Sequence, residues 1–208
     1  PRPRPGGLGR APPGTGGYFP EPRLPTNESG IEKAREFLVK AGYQGGKGMP
    51  PIEILYNTDE NHKKIAEAIQ AMWKENLGIN TTLLNQEWKV FLDNQQNKQF
   101  MVGRAGWIAD YNDPSTFLDM FSTDNGNNHS NWSNKRFDDY ITQAAGERST
   151  KKRMQAFQKA EDILLDELPV MPIYIYTRIT LRSNDVQGWY DNLEDYHPLK
   201  EVYIGKKQ

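Results

Sequence analysis

Residues 51–84 place a strand, a helix and a second strand in direct succession, an order that restricts the possible folds more than any other feature. The apolar run Pro51-Ile-Glu-Ile-Leu-Tyr56 is typical of a strand. Residues 60–77 then carry apolar side chains at helical spacing, and Gly78 is placed to end that helix. Ile79-Asn-Thr-Thr-Leu-Leu84 indicates the second strand. Strands that alternate with helices in this way predict an α/β sheet with helices on its faces.

The rest of the chain continues the alternation, with polar connections between the elements. Ser29 and Glu32 form a capping-box pattern at the start of a first helix, which Gly42 is expected to end. The other predicted elements are a short helix at 87–95, a strand at 100–106, one or two helical turns at 115–121, a polar loop at 122–134, helices at 135–145 and 150–168 (the second beginning at a Ser-Thr cap), and a strand at 170–176 with 179–182 as its continuation.

Charge and cysteine content exclude several classes of function. The chain has 26 basic and 27 acidic residues and a net charge of −1, without the basic excess that nucleic-acid binding usually needs. No apolar run approaches the ~20 residues that a membrane-spanning helix requires. The absence of cysteine excludes disulfides, cysteine-ligated metals and thiol catalysis, and it agrees weakly with an oxidising compartment.

The first 25 residues contain eight prolines and six glycines, which rule out a regular helix or strand there. The repeat Pro1-Arg-Pro-Arg-Pro5 is compatible with a polyproline-type recognition segment. The simpler interpretation, which we favour, is an extended connection that lies over a domain.

The segment Arg104-Ala-Gly-Trp-Ile-Ala-Asp-Tyr-Asn-Asp-Pro114 sets Asp110 between the aromatic residues Trp107 and Tyr111, where an apolar strand runs into a turn. A carboxylate among aromatic walls suits a ligand with a cationic head and an apolar body. Local structure also explains the pattern, because Trp107 is compatible with a core position and Asp-Tyr-Asn-Asp-Pro is typical of a turn. The segment alone leaves both interpretations open.

Three motifs give the chain a family resemblance. Residues 105–114, the run Ile54-Leu-Tyr-Asn-Thr-Asp-Glu-Asn-His-Lys-Lys64 and Asn85-Gln-Glu-Trp-Lys89 resemble, in order and spacing, segments of the periplasmic oligopeptide-binding proteins that serve ABC peptide importers. The likeness runs from about Pro12 to the C-terminus. It implies one α/β lobe of a two-lobe periplasmic-binding-protein fold, with a mixed sheet flanked by helices.

The resemblance also implies roles for particular residues. Asp110 corresponds to the aspartate that binds the α-ammonium of a peptide, and Trp88 and Trp107 correspond to the two tryptophans of the pocket. Arg104 and His62 match basic positions that meet the peptide's terminal carboxylate. Weaker matches that complete the expected peptide-binding set are Tyr111 beside Asp110, Asn57 near the ligand backbone, and Tyr176 on the strand before the chain crosses to the other lobe.

Family members are considerably longer than this chain and close two lobes on the ligand. The resemblance therefore implies an extended segment at 1–25, a ligand-binding lobe at 26–177, and a return segment at 178–208 that packs on a first lobe absent here. The return segment, with Trp189, Tyr190, Tyr196 and Tyr203, is then expected to expose apolar surface. An isolated lobe is expected to bind peptides weakly, because half of the closed site is missing.

The expected partners are short peptides, the membrane-embedded permease subunits of the importer and the first lobe of the same parent chain. The expected location is the periplasm, or a lipid anchor outside the cell in a Gram-positive host. We expect no cofactor, no metal and no catalytic residue: His62, His129 and His197 share no metal-ligand spacing, and Asp110 with Asp113 is better explained by turn chemistry than as a hydrolase pair.

Two alternatives stay open at this point. One is a member of the same family that is devoted to a narrower ligand, such as a murein peptide, a dipeptide or a nickel chelate. The other is a hydrolase or a non-transport adhesion or interaction module on a similar α/β core. A self-contained module is expected to present a polar surface over residues 177–208, whereas a lobe fragment is not.

Overall fold

A computed structural model describes residues 10–19, 28–177 and 179–205. The described residues divide into two compact units. The first, which we call the sheet unit, comprises 28–106 and 123–133. The second, the helix unit, comprises 10–19, 107–122, 134–177 and 179–205.

The sheet unit is built from alternating helices and strands. Its elements, in chain order, are α1 (Glu28–Lys40), a 3₁₀ turn at Gln44–Gly46, β1 (Ile52–Asn57), α2 (Glu60–Leu77), β2 (Thr81–Gln86), α3 (Trp88–Gln96) and β3 (Val102–Gly103). The strands run parallel in the order β2-β1-β3, with Ile54 opposite both Leu83 and Val102. This parallel sheet with flanking helices confirms the predicted α/β class.

Helix α2 has the ends that its sequence predicts. The Asp59 side chain accepts hydrogen bonds from the backbone N–H groups of Asn61 and His62, at 2.9 and 3.0 Å, and so caps the first turn. Gly78 ends the helix in the left-handed region, with φ at 72°. A Cβ atom at Gly78 would lie 2.2 Å from the carbonyl oxygen of Gly45, so this position admits only glycine.

The core of the sheet unit lies between β1 and α2. Ile54, Tyr56 and Ala66 are buried there, and Ile69, Trp73, Leu83 and Val102 pack against them. Burial of this apolar surface fixes α2 on the sheet and holds the ends of β1 and β2 in register.

The helix unit has a different architecture. Its elements are a 3₁₀ turn at Thr15–Gly17, α4 (Ser115–Leu118) continued by a 3₁₀ turn at Asp119–Phe121, α5 (Lys135–Gly146), α6 (Thr150–Glu167), β4 (Val186–Gln187), a 3₁₀ turn at Leu199–Glu201, and β5 (Tyr203–Ile204), which pairs antiparallel with β4. Helices α5 and α6 pack on each other, and Leu118, Phe137, Phe157 and Leu164 are at most 1% exposed.

A buried glutamate fastens residues 10–19 to α6. The carboxylate of Glu161 is fully buried and accepts hydrogen bonds from the backbone N–H groups of Arg10 and Ala11 and from the hydroxyl of Tyr18, at 2.6, 2.9 and 2.7 Å. The Tyr18 ring meets Phe157 edge to face. The extended connection predicted for residues 1–25 therefore packs on α6 in its described part, whereas Pro1–Pro5 lies outside the described residues.

Several element predictions were wrong in detail. The first helix is described from Glu28 onwards, so Ser29 lies within its described part. The second strand starts at Thr81 rather than Ile79, and the third is reduced to Val102–Gly103. Ser149 precedes α6 as predicted, but its side chain makes no capping hydrogen bond within the described part of the chain.

The largest error concerns residues 170–176, which do not form a strand. A strand requires a neighbouring strand, and these residues pair with none of the described strands. Ile173, Tyr174 and Tyr176 are 49%, 44% and 52% exposed.

The segment that follows exposes apolar side chains, as predicted. Tyr190, Tyr196 and Tyr203 are between 51% and 69% exposed, and Leu181 is 96% exposed. Trp189 differs, because its ring stacks on His197 with the centroids 4.0 Å apart. No helix among the described residues has both the length and the apolar character to cross a membrane. The division into a lobe at 26–177 and a return segment at 178–208 stays a prediction.

Candidate functional site

The carboxyl ends of the three parallel strands collect polar side chains at one edge of the sheet unit. Strand β1 ends at Asn57, β2 ends at Gln86 just before Trp88, and β3 ends just before Arg104. Strands β2 and β3 lie on opposite sides of β1, so the strand order reverses here. Ligands of open α/β sheets bind at such a reversal, outside the carboxyl ends of the strands. We call Asn57, Asp59, His62 and Arg104 the sheet edge.

Two of the sheet-edge side chains hold buried polar atoms without hydrogen bonds. Asn57 is 8% exposed, and its Oδ1 atom has no partner among the described residues. The same holds for Nδ1 of His62, which lies 3.8 Å from Oδ1 of Asp59. A buried polar atom without a hydrogen bond costs about 1 to 3 kcal/mol, so both side chains are kept at the expense of stability.

Electrostatics link the other members of the sheet edge. Burial lowers the pKa of His62, and the positive charge of Arg104 lowers it further, against the opposing effects of Asp59 and of the Asn57 backbone. The hydrogen bond from the His62 backbone N–H is the main cause that lowers the pKa of Asp59. At neutral pH the sheet edge therefore carries a neutral imidazole, a carboxylate and a guanidinium.

Arg104 has a firmly held backbone. Its N–H donates to the carbonyl oxygen of Leu55 at 2.8 Å, which extends the contact between β1 and β3 by one residue. Its own carbonyl oxygen accepts a hydrogen bond of 2.9 Å from Nε2 of Gln95 on α3. The backbone that carries the Arg104 guanidinium is thus held by two hydrogen bonds beside the end of β1.

Trp88 opens α3 and is not a core residue. It is 49% exposed, and its ring stacks on Phe91 with the centroids 5.8 Å apart and the planes 20° apart. Phe91 is buried, so one face of the indole is supported by the core of the sheet unit. The arrangement leaves an aromatic surface available for a ligand.

In the helix unit, Asp110–Thr116 forms a tight turn, which we call the acidic turn. Asp110 is exposed, but its backbone N–H donates to Oγ1 of Thr116 at 3.0 Å, and that hydroxyl donates to Oδ2 of Asp110 at 3.1 Å. Thr116 is only 5% exposed. The Asp110 backbone and the Asp110 carboxylate are therefore each joined by one hydrogen bond to a buried side chain.

The second carboxylate of the turn, Asp113, has a structural role. Its two oxygens accept hydrogen bonds from the two terminal nitrogens of Arg153 on α6, at 2.5 and 2.8 Å, and Oδ1 also accepts from the backbone and hydroxyl of Ser115. Partial burial alone would raise the pKa of Asp113, but the hydrogen bonds from Arg153 and Ser115 outweigh it and the pKa is lowered. The hydroxyl of Ser115 lies 3.2 Å from that of Tyr111, which is 47% exposed.

The remaining predicted residues of the helix unit differ in burial. Trp107 is half-buried, and its indole N–H is enclosed without an acceptor among the described residues. Tyr176 is 52% exposed and contacts Tyr174, with ring centroids 4.7 Å apart, but the strand on which it was predicted to lie is absent. Asp119 follows α4 in the same unit, and burial raises its pKa to about 6, with a further contribution from the charge of Asp113.

The predicted residues thus fall into two groups. Asn57, His62, Trp88 and Arg104 belong to the sheet unit, and the helix unit carries Trp107, Asp110, Tyr111 and Tyr176. Within the sheet unit, the charge of Arg104 contributes to the lowered pKa of His62, and within the helix unit Tyr111 lies in the same turn as Asp110, with its hydroxyl 3.2 Å from that of Ser115.

Sequence reasoning missed three residues that organise these groups. Asp59 was accessible from sequence, because an Asp directly before a helical run is a capping signal. Thr116 gave a weaker signal, as a hydroxyl six residues after Asp110. Arg153 gave none, because its partner Asp113 lies 40 residues away.

These groups can bind charged and polar parts of a ligand. A fixed exposed carboxylate accepts from a cation with N–H donors, a guanidinium binds a carboxylate, and indole rings offer flat contact area. In the described ranges, no three His, Asp or Glu side chains are close enough together to hold a metal ion.

Two bacterial peptide-binding proteins are similar to the chain along most of its length. The oligopeptide-binding protein OppA of Bacillus subtilis is 39% identical over 83% of this chain, which covers 31% of that protein. The periplasmic murein peptide-binding protein MppA of Escherichia coli is 39% identical over 92% of this chain, which covers 36% of that protein.

Solved structures agree with these sequence relatives. The structure of the E. coli murein tripeptide binding protein MppA matches 94% of this chain with a TM-score of 0.84 and 39% identity, over 39% of that chain. Haemophilus influenzae OppA in complex with RPPGFSPFR matches 92% of this chain with a TM-score of 0.79 and 34% identity, over 38% of that chain.

The chain thus spans about a third of the length of the curated relatives it matches. The family described as bacterial extracellular solute-binding proteins, family 5 Middle, matches residues 6–129, which is more than half of the chain. The fold, the motifs and this match agree, and the chain belongs to the bacterial extracellular solute-binding proteins of family 5.

Proposed function

We propose that the chain is part of the solute-binding component of an ABC importer and that it binds short oligopeptides through their backbone and termini. The observation that carries this proposal is that relatives named for peptides match it over 83% and 92% of its length, at 39% identity in both cases. A protein that accepts many peptide sequences must hold the constant parts of a peptide, which are its main chain, its α-ammonium and its terminal carboxylate.

The sheet edge suits the anionic and backbone parts of a peptide. Arg104 offers a planar fork that matches a carboxylate, and His62 donates from an uncharged ring. Asn57, whose Oδ1 is enclosed without a hydrogen bond, is proposed to accept from a main-chain N–H after a small side-chain rotation. The exposed Trp88 ring provides contact area that does not depend on side-chain shape.

The acidic turn suits the cationic end. Asp110 is the proposed partner of the α-ammonium, since a charge-assisted hydrogen bond to a fixed carboxylate is among the stronger polar contacts. Trp107 and Tyr111 are proposed to line its surroundings, and Tyr176 is proposed to contact a ligand side chain.

We further propose that the protein acts outside the cytoplasm, in the periplasm or as a lipid-anchored protein, delivers its ligand to permease subunits, and has no catalytic activity. Relatives named periplasmic support the location. The bidentate pairing of Asp113 with Arg153 argues against Asp110 and Asp113 as a hydrolase pair, because Asp113 is occupied in a structural contact.

Native mass spectrometry and calorimetry on the complete gene product test the proposal. Protein purified from its host should carry short peptides, and Asp110→Ala should lower the affinity for a free tripeptide at least about tenfold, because hydrogen bonds to charged groups contribute about 1.5 to 3 kcal/mol. Glu75→Ala, which removes an exposed carboxylate from α2, is the matched charge control and should leave affinity unchanged. A sugar or a metal ion in place of peptides would contradict the proposal.

The narrower alternative requires a separate measurement. Identity does not separate the two possibilities, because the oligopeptide and the murein peptide relatives are both 39% identical. Calorimetric titration with a panel of di-, tri- and tetrapeptides does so. Similar affinities for many tripeptides support the general peptide binder, and binding restricted to one ligand class contradicts it.

A further inference from the structure

Asp110 is exposed, yet its carboxylate accepts a hydrogen bond from the buried side chain of Thr116. An exposed aspartate ordinarily samples several side-chain rotamers in water. Here the Thr116 hydroxyl accepts from the Asp110 backbone N–H and donates to Oδ2 of the same residue, at 3.0 and 3.1 Å. One hydroxyl thus fixes both the backbone and the side chain of Asp110.

Thr116 is itself immobilised by the core of the helix unit. It is 5% exposed and lies on α4 between Ser115, which Asp113 caps, and Phe117, which is 3% exposed. A β-branched threonine has few rotamers available in a helix, and close packing around a side chain that is 5% exposed selects among them. Its hydroxyl direction is therefore determined by packing and not by the ligand.

This geometry leaves a defined part of the Asp110 carboxylate for a ligand. Oδ2 is engaged by Thr116, so Oδ1 and the remaining lone pair of Oδ2 point in fixed directions. A primary ammonium has three N–H donors and a full positive charge. Both properties strengthen its hydrogen bonds to the Asp110 carboxylate. An N-acylated peptide has neither, because its single amide N–H carries no charge.

We propose that Thr116 is a positioning residue that sets the selectivity of Asp110 for ligands with a free α-ammonium over N-blocked ligands. This proposal rests on the proposed peptide-binding function and adds to it the residue that makes the ammonium contact selective. Because Thr116 acts through Asp110, its loss should weaken the binding of free-amine peptides and leave that of N-acetylated peptides nearly unchanged.

Thr15 is a matched control for the loss of a buried threonine hydroxyl. It belongs to the same helix unit, is 2% exposed, and its hydroxyl donates to the carbonyl oxygen of Pro12 at 2.7 Å. Thr15→Val therefore removes an equally buried hydroxyl that does not contact Asp110. Any general effect of such a loss on folding should appear in both variants.

The experiment measures affinity for trialanine and for N-acetyl-trialanine in the complete gene product, by calorimetry. The readout is the ratio of the two dissociation constants, which a purely structural change would not alter. Thr116→Val should reduce this selectivity about fivefold to tenfold, the amount expected when one side chain must be ordered on binding. Thr116→Ser, which keeps the hydroxyl, should restore it, and Thr15→Val should leave it unchanged.

Thr116→Ala supplies the same loss of hydroxyl if valine is not accommodated. Unchanged selectivity in Thr116→Val or Thr116→Ala, with the wild type preferring the free amine, overturns the role of Thr116 and leaves the proposed function intact. An equal loss of affinity for both peptides also overturns it, because that pattern is general destabilisation. A wild-type protein that binds neither peptide overturns the proposed function itself.

Discussion

The sheet edge and the acidic turn both present polar side chains, but they differ in how far these side chains are hydrogen-bonded within the protein. In the acidic turn, Asp110 and Asp113 receive hydrogen bonds from Thr116, Ser115 and Arg153. At the sheet edge, Oδ1 of Asn57 and Nδ1 of His62 are buried without hydrogen bonds among the described residues.

This contrast distinguishes polar groups that stabilise the folded protein from polar groups that reduce its stability. The hydrogen bonds that Asp113 accepts from Arg153 and Ser115 stabilise the turn, so their loss should lower the free energy of unfolding. Buried atoms without partners lower that free energy already, and native proteins keep few of them. Substitutions at the sheet edge should therefore affect binding more than stability, whereas loss of the contact between Arg153 and Asp113 should affect stability more than binding.

The largest effect is expected at Arg153. Arg153→Met removes both hydrogen bonds to Asp113 and the one from Nε to the carbonyl oxygen of Ala144. Breaking a fully buried ion pair costs about 3 to 5 kcal/mol, and partial exposure of both side chains reduces the expected loss to about 2 to 3 kcal/mol. Urea denaturation measures it. Arg153→Lys keeps the charge and should lose less; equal stability of the methionine variant and the wild type would contradict the anchoring role.

A smaller effect of opposite sign is expected at Asn57. Asn57→Val removes an unsatisfied acceptor from β1 and introduces a residue that favours strands, so the free energy of unfolding should rise by about 1 kcal/mol. Peptide affinity should fall at the same time. Thr82→Val, at an exposed position of β2, is the control for strand propensity alone. A clear loss of stability in Asn57→Val would show that Asn57 stabilises the sheet edge, and the contrast with the acidic turn would not hold.

The smallest effect concerns His62 and depends on pH. The folded state lowers the pKa of His62 below its ordinary value of 6.5, so the unfolded chain binds the proton more tightly. Stability from this residue is thus fully present above about pH 6.5 and is lost as the pH falls through the lowered value.

His62→Leu removes this dependence, so the variant should gain stability relative to the wild type between pH 8 and pH 5, by less than about 1 kcal/mol at a partly exposed position. Melting temperatures of both proteins across this range provide the measurement. Titrating groups that do not interact with His62, such as Asp119, cancel in the difference between the two proteins. A difference that stays constant with pH would contradict the lowered pKa.

Local sequence signals predicted the sheet unit well and the organisation of the site incompletely. The β1–α2–β2 succession was predictable because Gly78 and the apolar periodicity act within a few residues. Residues 170–176 were predicted as a strand because the side chains suit one, but no described strand pairs with them. A pattern of side chains indicates a preference for the strand conformation, whereas a strand also needs another strand to which its backbone can hydrogen-bond.

The anchors of the acidic turn were not predictable for a different reason. The residues adjacent to Asp113 in the sequence predict only that it belongs to a turn. The packing of α6 brings Arg153 into contact with it. Glu161 likewise reads as one more charged residue of a helix, and only the fold shows that it is fully buried. Contacts between residues far apart in sequence carry no local signal.

The contacts of Glu161 have a consequence for the order of folding. The backbone N–H of Ala11 meets a carboxylate that follows 150 residues later, and the Tyr18 hydroxyl meets it over a separation of 143. During synthesis on the ribosome, the elements from α1 to β3 are complete before α6 is made. The sheet unit is therefore expected to fold first, and residues 10–19 can pack on α6 only after α6 has been synthesised. Until α6 emerges, Tyr18 lacks the Phe157 ring and the Glu161 carboxylate that it contacts in the folded protein. The newly made chain is therefore expected to need protection at this segment, and pulse-labelled hydrogen exchange should find Tyr18 among the last residues to become protected.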